Sequence, residues 1–319
     1  MAIGKASDFQ IYDEQFFSGM TEVVQQNLAL FNAQSRNAIR LVPRRHRGDY
    51  IQESFVKEIS SLISRRDTTS VGSATDLAMT QGEEKMVKLN RTIGPVAQTL
   101  DALRKIQINQ NTFSFMLGQQ IAPAVTQNML NAGINAVEAA LSGQAAVNYD
   151  ATDGTLAYAD LVEGLNKFGD QAVKILAWVM HSKVANDLLK ASVAGNVSNI
   201  ADVAIFRAEI GGFNRPIIIT DSSDLVTAGT TTTYSTLGLV ADSTVVMQSE
   251  DQDIVSDIVT GLDNLVVRIQ GEFSYTIGLQ GLTWAGSANP TDANLGTSGN
   301  WTKVASDDKS LPGIRITSQ

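Results

Sequence analysis

Cysteine is absent from the 319 residues of this sequence, and histidine occurs only twice. Without cysteine there are no disulfides, thiolate nucleophiles, iron–sulfur clusters or cysteine zinc sites. The two histidines, His46 and His181, lie far apart, so the commonest metal ligand and general base is scarce. These absences argue against an ordinary hydrolase or metalloenzyme. The sequence predicts a protein that is not an enzyme and uses no metal or other cofactor.

Long hydrophobic runs are also missing. No apolar stretch reaches the roughly 18 to 20 residues that a membrane-spanning helix needs. The first residues lack the apolar segment of a secretory signal, so we expect synthesis in the cytoplasm and no membrane association. Hydrophobic residues nevertheless make up 43% of the chain, which is enough for a sizeable core.

Positive charge is scarce overall but is concentrated in one segment. The net charge of −9 argues against a protein whose main task is to grip nucleic acid. Residues 36–105 nevertheless carry 13 Lys and Arg against 8 Asp and Glu, whereas the rest of the chain carries 11 against 25. The sequence therefore separates a basic segment from an acidic body.

The N-terminal third contains segments that need a partner surface. Residues 1–35 are rich in large apolar side chains, which fits either an arm lying on a neighbouring subunit or a helix packed on its own domain. The arginines that follow have three interpretations: salt bridges to adjacent subunits, which we favour, contact with packaged nucleic acid, or a solvated face. The candidate residues are Arg40, Arg44, Arg45, Arg47, Arg65 and Arg66.

An extended loop and a long helix come next. Residues 68–80 are small and polar, and the alternation over residues 84–91 predicts a strand, so the region forms a long hairpin-like loop. Such a loop has too little apolar surface for a core of its own. Apolar residues over 112–141 recur at helical spacing and predict a long spine helix, in which Pro123 implies a kink or the meeting of two helices.

The second half predicts a mixed arrangement of helices and strands. Helices are expected over 158–168 and 183–190, the latter capped by Ser182. A strand is expected within 172–180, and others over 216–220, 237–248 and 266–277, with a final one near residues 314–316. His181 and Ser182, with Asp221 and Asp224 after a later strand, could be drawn as a catalytic triad. Adjacency in sequence proves no hydrogen bond, however, and a strand-to-helix corner explains the His181–Ser182 pair better.

The predicted elements follow one another in a characteristic order: an arm, a basic extended loop, a spine helix, a mixed α/β region and closing strands. This order is similar to that of the Hong Kong 97-type capsid fold, an α+β fold. Two short sequence motifs also look like those of tailed-phage major coat proteins. The first is Glu84-Lys85-Met86-Val87-Lys88-Leu89-Asn90-Arg91 with Gly94-Pro95. The second is Val179-Met180-His181-Ser182 followed by Asp187-Leu188-Leu189. The resemblance covers most of the chain.

The resemblance implies a division into segments. An N-terminal arm would occupy residues 1–35, an extended E-loop 36–105 and the P-domain spine helix 106–148. An α/β A-domain would occupy 149–260, and closing P-domain strands 261–319.

The resemblance also implies a function. Chains would assemble through pentamers and hexamers into an icosahedral virion shell around double-stranded DNA, built in the bacterial cytoplasm with scaffolding, portal and decoration proteins as partners. The alternatives are an encapsulin-like compartment and, from another class, a soluble hydrolase that uses His181.

Overall fold

The computed structural model describes residues 31–33, 35–57, 76–105, 110–195, 215–261 and 263–319, together with scattered residues between 59 and 72. The predicted N-terminal arm therefore lies almost entirely outside the described residues. Within them the chain forms two β-sheets joined by one long helix. This α+β arrangement agrees with the fold class predicted from the sequence.

The first sheet has seven strands and contains the long, alternating segments of the sequence. Antiparallel pairing runs from β9 through β10 to β3 and β2, and β1 adds to the far edge of β9 in parallel. The short strands β11 and β12 extend β10 at its C-terminal end. Its strands are β1 (Ile39–Pro43), β2 (Tyr50–Val56), β3 (Gln81–Thr99), β9 (Thr244–Val259), β10 (Val266–Leu279), β11 (Leu282–Trp284) and β12 (Trp301–Lys303).

The second sheet has six strands, in the order β4, β13, β8, β5 and β6, with β7 paired to β8. It contains β4 (Asn148–Ala151), β5 (Ile175–His181), β6 (Ile217–Thr220), β7 (Val226–Thr227), β8 (Thr233–Val240) and β13 (Gly313–Ser318). The last strand pairs with β8 and β4. The two sheets thus cut across the segment boundaries expected at residues 149 and 261.

The helices connect and cover these sheets. They are α1 (Leu100–Lys105), α2 (Gln110–Ser142), α3 (Tyr158–Asn166), α4 (Ser182–Gly195) and α5 (Asp292–Leu295). The spine helix α2 is continuous through Pro123 and ends one residue before Gly143. The sequence left open a kinked helix or two helices meeting at Pro123, and the structure has a single helix there. Its buried apolar face includes Met129, Ile134 and Val137.

Small side chains let the spine helix lie close to the first sheet. A Cβ atom added to Gly133 would stand 3.2 Å from Val246 Cγ2 on β9, which leaves no spare room at this crossing. On the other side, Glu138 of the same helix receives a hydrogen bond from Arg315 of β13. The spine helix is therefore the element that joins the two sheets.

Two local predictions were wrong in detail. Residues 237–248 are not one strand, because a turn with Asp242 at a positive φ of 52° moves the chain from β8 in the second sheet to β9 in the first. Ser182 is not the residue before the helix, because α4 begins at Ser182 itself. The imidazole Nδ1 of His181 accepts the Lys183 N–H at 3.1 Å and so takes the capping role.

Candidate functional site

An antiparallel ribbon in the first sheet, formed by β2 and the start of β3, carries several exposed large apolar side chains. We call residues 50–57 and 76–87, with the described residues between them, the extended ribbon. Its strands pair from Tyr50 opposite Val87 to Val56 opposite Gln81. Beyond this paired base, Ile63 is 94% exposed and Met79 70% exposed, although both side chains are large and apolar. Val56, Leu62 and Leu77 are exposed as well. The hairpin-like loop predicted from the sequence is thus confirmed at its paired base.

The base of the extended ribbon contacts its own subunit at a corner made by β10, β11 and β12. Glu84 Oε1 accepts the Gly281 N–H at 2.8 Å, and the Lys85 N–H donates to Thr283 Oγ1 at 3.0 Å. Burial raises the pKa of the Glu84 carboxyl, Glu53 on the neighbouring strand raises it further, and the Gly281 N–H opposes both effects. These contacts anchor the base of the ribbon on this corner.

A basic strap, residues 44–49, links β1 to β2 across the outer face of the first sheet. The Arg44 N–H donates to the carbonyl of Gln248, and at the other end the carbonyl of Asp49 accepts the Lys88 N–H. Since β10 lies between the strands that carry Gln248 and Lys88, the strap passes over it. Ser274 and Thr276 of β10 are accordingly buried, although they lie on the outer face.

The candidate arginines divide into two groups. Arg40 pairs with Asp242 at 3.3 Å, Arg44 pairs with Glu53 at 3.5 Å, and Arg45 pairs with Asp251. All six of these side chains are about half exposed or more, so each pair contributes at most about 1 kcal/mol. The second group is Arg47, Arg65 and Arg66, which are exposed and form no ion pair with any other residue that the structure describes.

Beneath the strap lies a charged network that the sequence analysis did not single out. Lys88 Nζ donates to Glu250 Oε1 at 2.6 Å, and Ser274 Oγ donates to the other carboxylate oxygen at 2.8 Å. The Lys88 side chain is only 7% exposed. The hydrogen bonds from Lys88 and Ser274 lower the pKa of Glu250. Only the pairing register brings these three residues together, so no local sequence signal could have identified them.

A second network ties the first sheet to the spine helix. Arg91 of β3 forms a two-pronged ion pair with Asp292 and donates from Nε to the Tyr275 hydroxyl at 3.0 Å. That hydroxyl in turn donates to Asn128 Oδ1 of the spine helix at 2.8 Å. Burial raises the pKa of Tyr275 to about 12, with Arg91 acting in the opposite direction. Arg91, which lies in the first of the two motifs noted in the sequence, thus links β3 to β10 and α5.

The geometry around His181 is that of a structural corner. Its Nδ1 atom accepts the Lys183 N–H, and its Nε2 atom lies 3.8 Å from Asp221 Oδ1. A nitrogen that accepts a backbone hydrogen bond cannot at the same time take a proton from Ser182. The ring also packs on Tyr234, with centroids 5.2 Å apart. The drawn triad is therefore not formed.

The described residues contain no cluster of three or more metal-binding side chains. Among the helices that the structure describes, none has the length and apolar character required to span a membrane.

Comparison with known proteins gives the class of this chain. The family model described as "Major capsid protein 13-like" matches residues 8–315. The fold is similar to that in the acidic stable capsid structure of the Helicobacter pylori bacteriophage KHP30, with a TM-score of 0.52 at 10% identity, covering 89% of this chain and 88% of that one. The capsid asymmetric unit of cyanophage Pam1 gives a TM-score of 0.52 at 9% identity, covering 88% of each chain. No curated protein sequence matches significantly.

The two sheets, the spine helix and the extended ribbon make up an α+β fold of the Hong Kong 97 type. The chain belongs to the major capsid protein 13-like family. It is accordingly a structural component of a tailed-bacteriophage virion, it acts as a homo-oligomer in the capsid, and it is not an enzyme. The resemblance stated from the sequence is confirmed, and the encapsulin and hydrolase alternatives are not favoured.

Proposed function

We propose that this capsid protein forms pentamers and hexamers of an icosahedral shell in which the extended ribbon of each copy lies on a neighbour. The observation that carries the proposal is the exposed apolar surface of the ribbon, including Val56, Ile63 and Met79. Burying one large apolar side chain is worth roughly 1.5–3 kcal/mol. Several such side chains per ribbon supply a few kcal/mol per contact, and a closed shell repeats that contact at every copy.

Replacing the exposed apolar side chains of the ribbon should prevent shell formation without unfolding the subunit. We expect the double variant Leu77→Ser/Met79→Ser to remain folded, because both side chains are exposed in the single chain. Analytical ultracentrifugation and electron microscopy should then show capsomers or monomers in place of shells. The matched control is Val173→Ser, an apolar residue that is 80% exposed and precedes β5 of the second sheet. Shells formed by the double variant at the wild-type concentration would contradict the proposal.

The remaining partners follow from the same shell. We propose that the particle encloses double-stranded DNA without sequence-specific contacts, that assembly takes place in the bacterial cytoplasm, and that scaffolding, portal and decoration proteins take part. The shell is expected to hold nucleic acid rather than a protein cargo. Extraction of nuclease-resistant DNA from purified virions supports this role, and a defined protein cargo in its place would favour a compartment.

We propose further that the ribbon arginines Arg65 and Arg66 bind an acidic face on the adjacent subunit. A suitable face lies on the outer side of β9 and β10, where Asp253 stands directly opposite Glu272. Like charges directly opposite one another destabilise a sheet, and neither carboxylate has an ion-pair partner among the described residues. Val255, 69% exposed, lies two residues further along the same face. The face thus offers carboxylates and apolar surface to a ribbon that carries arginines and apolar residues.

Charge exchange tests this pairing. Arg65→Glu/Arg66→Glu should weaken assembly, and Asp253→Lys/Glu272→Lys in the same chain should restore it, with the rescue strongest at low ionic strength. Arg104→Glu is a control, since Arg104 is exposed and pairs with Asp101 within its own helix. Failure of the second pair of changes to restore shells would contradict the pairing. Normal shells that lose DNA would instead indicate that the arginines contact the genome.

The three arginines of the strap serve the same purpose in our proposal. Arg44, Arg45 and Arg47 lie within four residues and are exposed. Arg47 forms no ion pair with any described residue, and the pairs of Arg44 with Glu53 and of Arg45 with Asp251 are exposed enough to exchange partners with a neighbouring subunit. The triple variant to alanine should lower the salt concentration at which shells dissociate. Wild-type salt resistance in that variant would count against an inter-subunit role.

A further inference from the structure

The contact between the extended ribbon and its own subunit is built around one carboxyl group. The corner that receives Glu84 is itself held rigidly, because the Gly281 carbonyl accepts the N–H groups of Val304 and Ala305 at 3.0 and 3.1 Å. A Cβ atom added to Gly82 would stand 2.9 Å from Val304, so the ribbon backbone is close against the same segment. The seat of the ribbon is therefore a defined packing site.

Charge is poorly accommodated at this seat. Glu53 of β2 stands directly opposite Glu84 of β3. Asp307, from the segment after β12, lines the groove that contains Glu84. The nearby cation Arg44 pairs with Glu53 at 3.5 Å, but it is more than half exposed and its charge is screened by water. One backbone N–H, that of Gly281, is the donor that faces the Glu84 carboxylate.

We propose that Glu84 is a protonation-sensitive clamp that seats the extended ribbon on the β10–β11–β12 corner of its own subunit. A neutral carboxyl keeps the hydrogen bond to Gly281 and avoids repulsion by Glu53. An ionised carboxylate keeps the hydrogen bond but must remain half desolvated beside the carboxylate of Glu53. The clamp acts within one subunit, so it does not depend on the proposed shell contacts.

The direction of the pH effect follows from the geometry. In the seated ribbon the pKa of Glu84 is raised, chiefly by burial, whereas in a released ribbon the carboxyl is solvated. Protons therefore bind the seated form more tightly. The contribution of the clamp is complete below the pKa of the released form, and it is lost as pH rises through the pKa of the seated form.

Hydrogen exchange on the full-length, unassembled protein tests the clamp. The observables are the protection factors of the Gly281 and Lys85 amides, corrected for the intrinsic exchange rate, between about pH 4 and 8. In the wild-type protein we expect both factors to fall as pH rises and then to level off. Glu84→Gln should show high protection with no pH dependence, because the amide is neutral and can still accept the Gly281 N–H.

The matched control is Glu83→Gln. Glu83 is the adjacent residue, is exposed, and accepts a hydrogen bond from Gln52 at 2.5 Å on the opposite side of the ribbon. The Glu83→Gln variant should retain the wild-type pH dependence of protection. Glu53→Gln should reduce that pH dependence without abolishing it. Wild-type protection that is independent of pH would overturn the proposal. A pH dependence that survives in Glu84→Gln would also overturn it, because another group would then be responsible.

Discussion

Replacing Glu138 by Gln should destabilise the subunit more than any exposed charge change. Glu138 on the spine helix accepts hydrogen bonds from Arg315 Nε at 2.8 Å and from Ser235 Oγ at 3.0 Å. The two charged side chains are only 15% and 17% exposed, so little water can replace a lost partner. Removing one member of a buried ion pair costs roughly 3–5 kcal/mol. Both hydrogen bonds end on Oε1, an acceptor that the Gln amide can retain, so the main loss is the negative charge facing Arg315 and we expect about 3 kcal/mol.

The assay is chemical and thermal unfolding of the unassembled chain, monitored by circular dichroism. At roughly 2–4 °C per kcal/mol for a chain of this size, the transition midpoint should fall by about 6–12 °C. The control is Asp101→Asn, which breaks an exposed pair with Arg104 and should change the stability by less than about 0.5 kcal/mol. If the two variants unfold together, the Glu138–Arg315 pair does not hold the spine helix to the second sheet.

Two further predictions concern the first sheet. Gly133→Val should lower the free energy of unfolding by about 1–3 kcal/mol, because the added atoms meet Val246 at 3.2 Å or less. The control is Gly154→Ala, which has open space around it and should leave the stability unchanged in the same unfolding assay. Glu250→Gln should destabilise the chain at pH 7. The difference in stability between this variant and the wild type should shrink as pH falls through the lowered pKa of Glu250, because protonation then removes the ion pair with Lys88 in the wild type as well. A difference that stays constant down to pH 3 would contradict the second prediction.

The elements that could be predicted from the sequence are those with a strong local period. The spine helix and the strand around residues 84–91 were predicted from side-chain spacing alone, and both are present, although the strand β3 is longer. The split at Asp242 was missed because apolar residues continue on both sides of the turn. A single residue with positive φ redirects the chain there without interrupting the hydrophobic pattern.

The charged networks could not be predicted for a different reason. Lys88 and Glu250 are 162 positions apart, and only the register of β3 and β9 on either side of β10 brings them together. A lysine in an alternating strand normally indicates a solvated face, yet here the strap covers it. The six candidate arginines, by contrast, were found from local charge density, and their role between subunits stays a prediction.

The position of the spine helix between the two sheets has a mechanical consequence. Force applied to the extended ribbon enters β3, passes through Arg91 and Tyr275 to Asn128 on the helix, and leaves through Glu138 to Arg315 on the second sheet. These bonds act in series along one continuous rod of 33 residues. The two sheets are thus mechanically coupled through the spine helix, so that a force on the ribbon is transmitted to the second sheet.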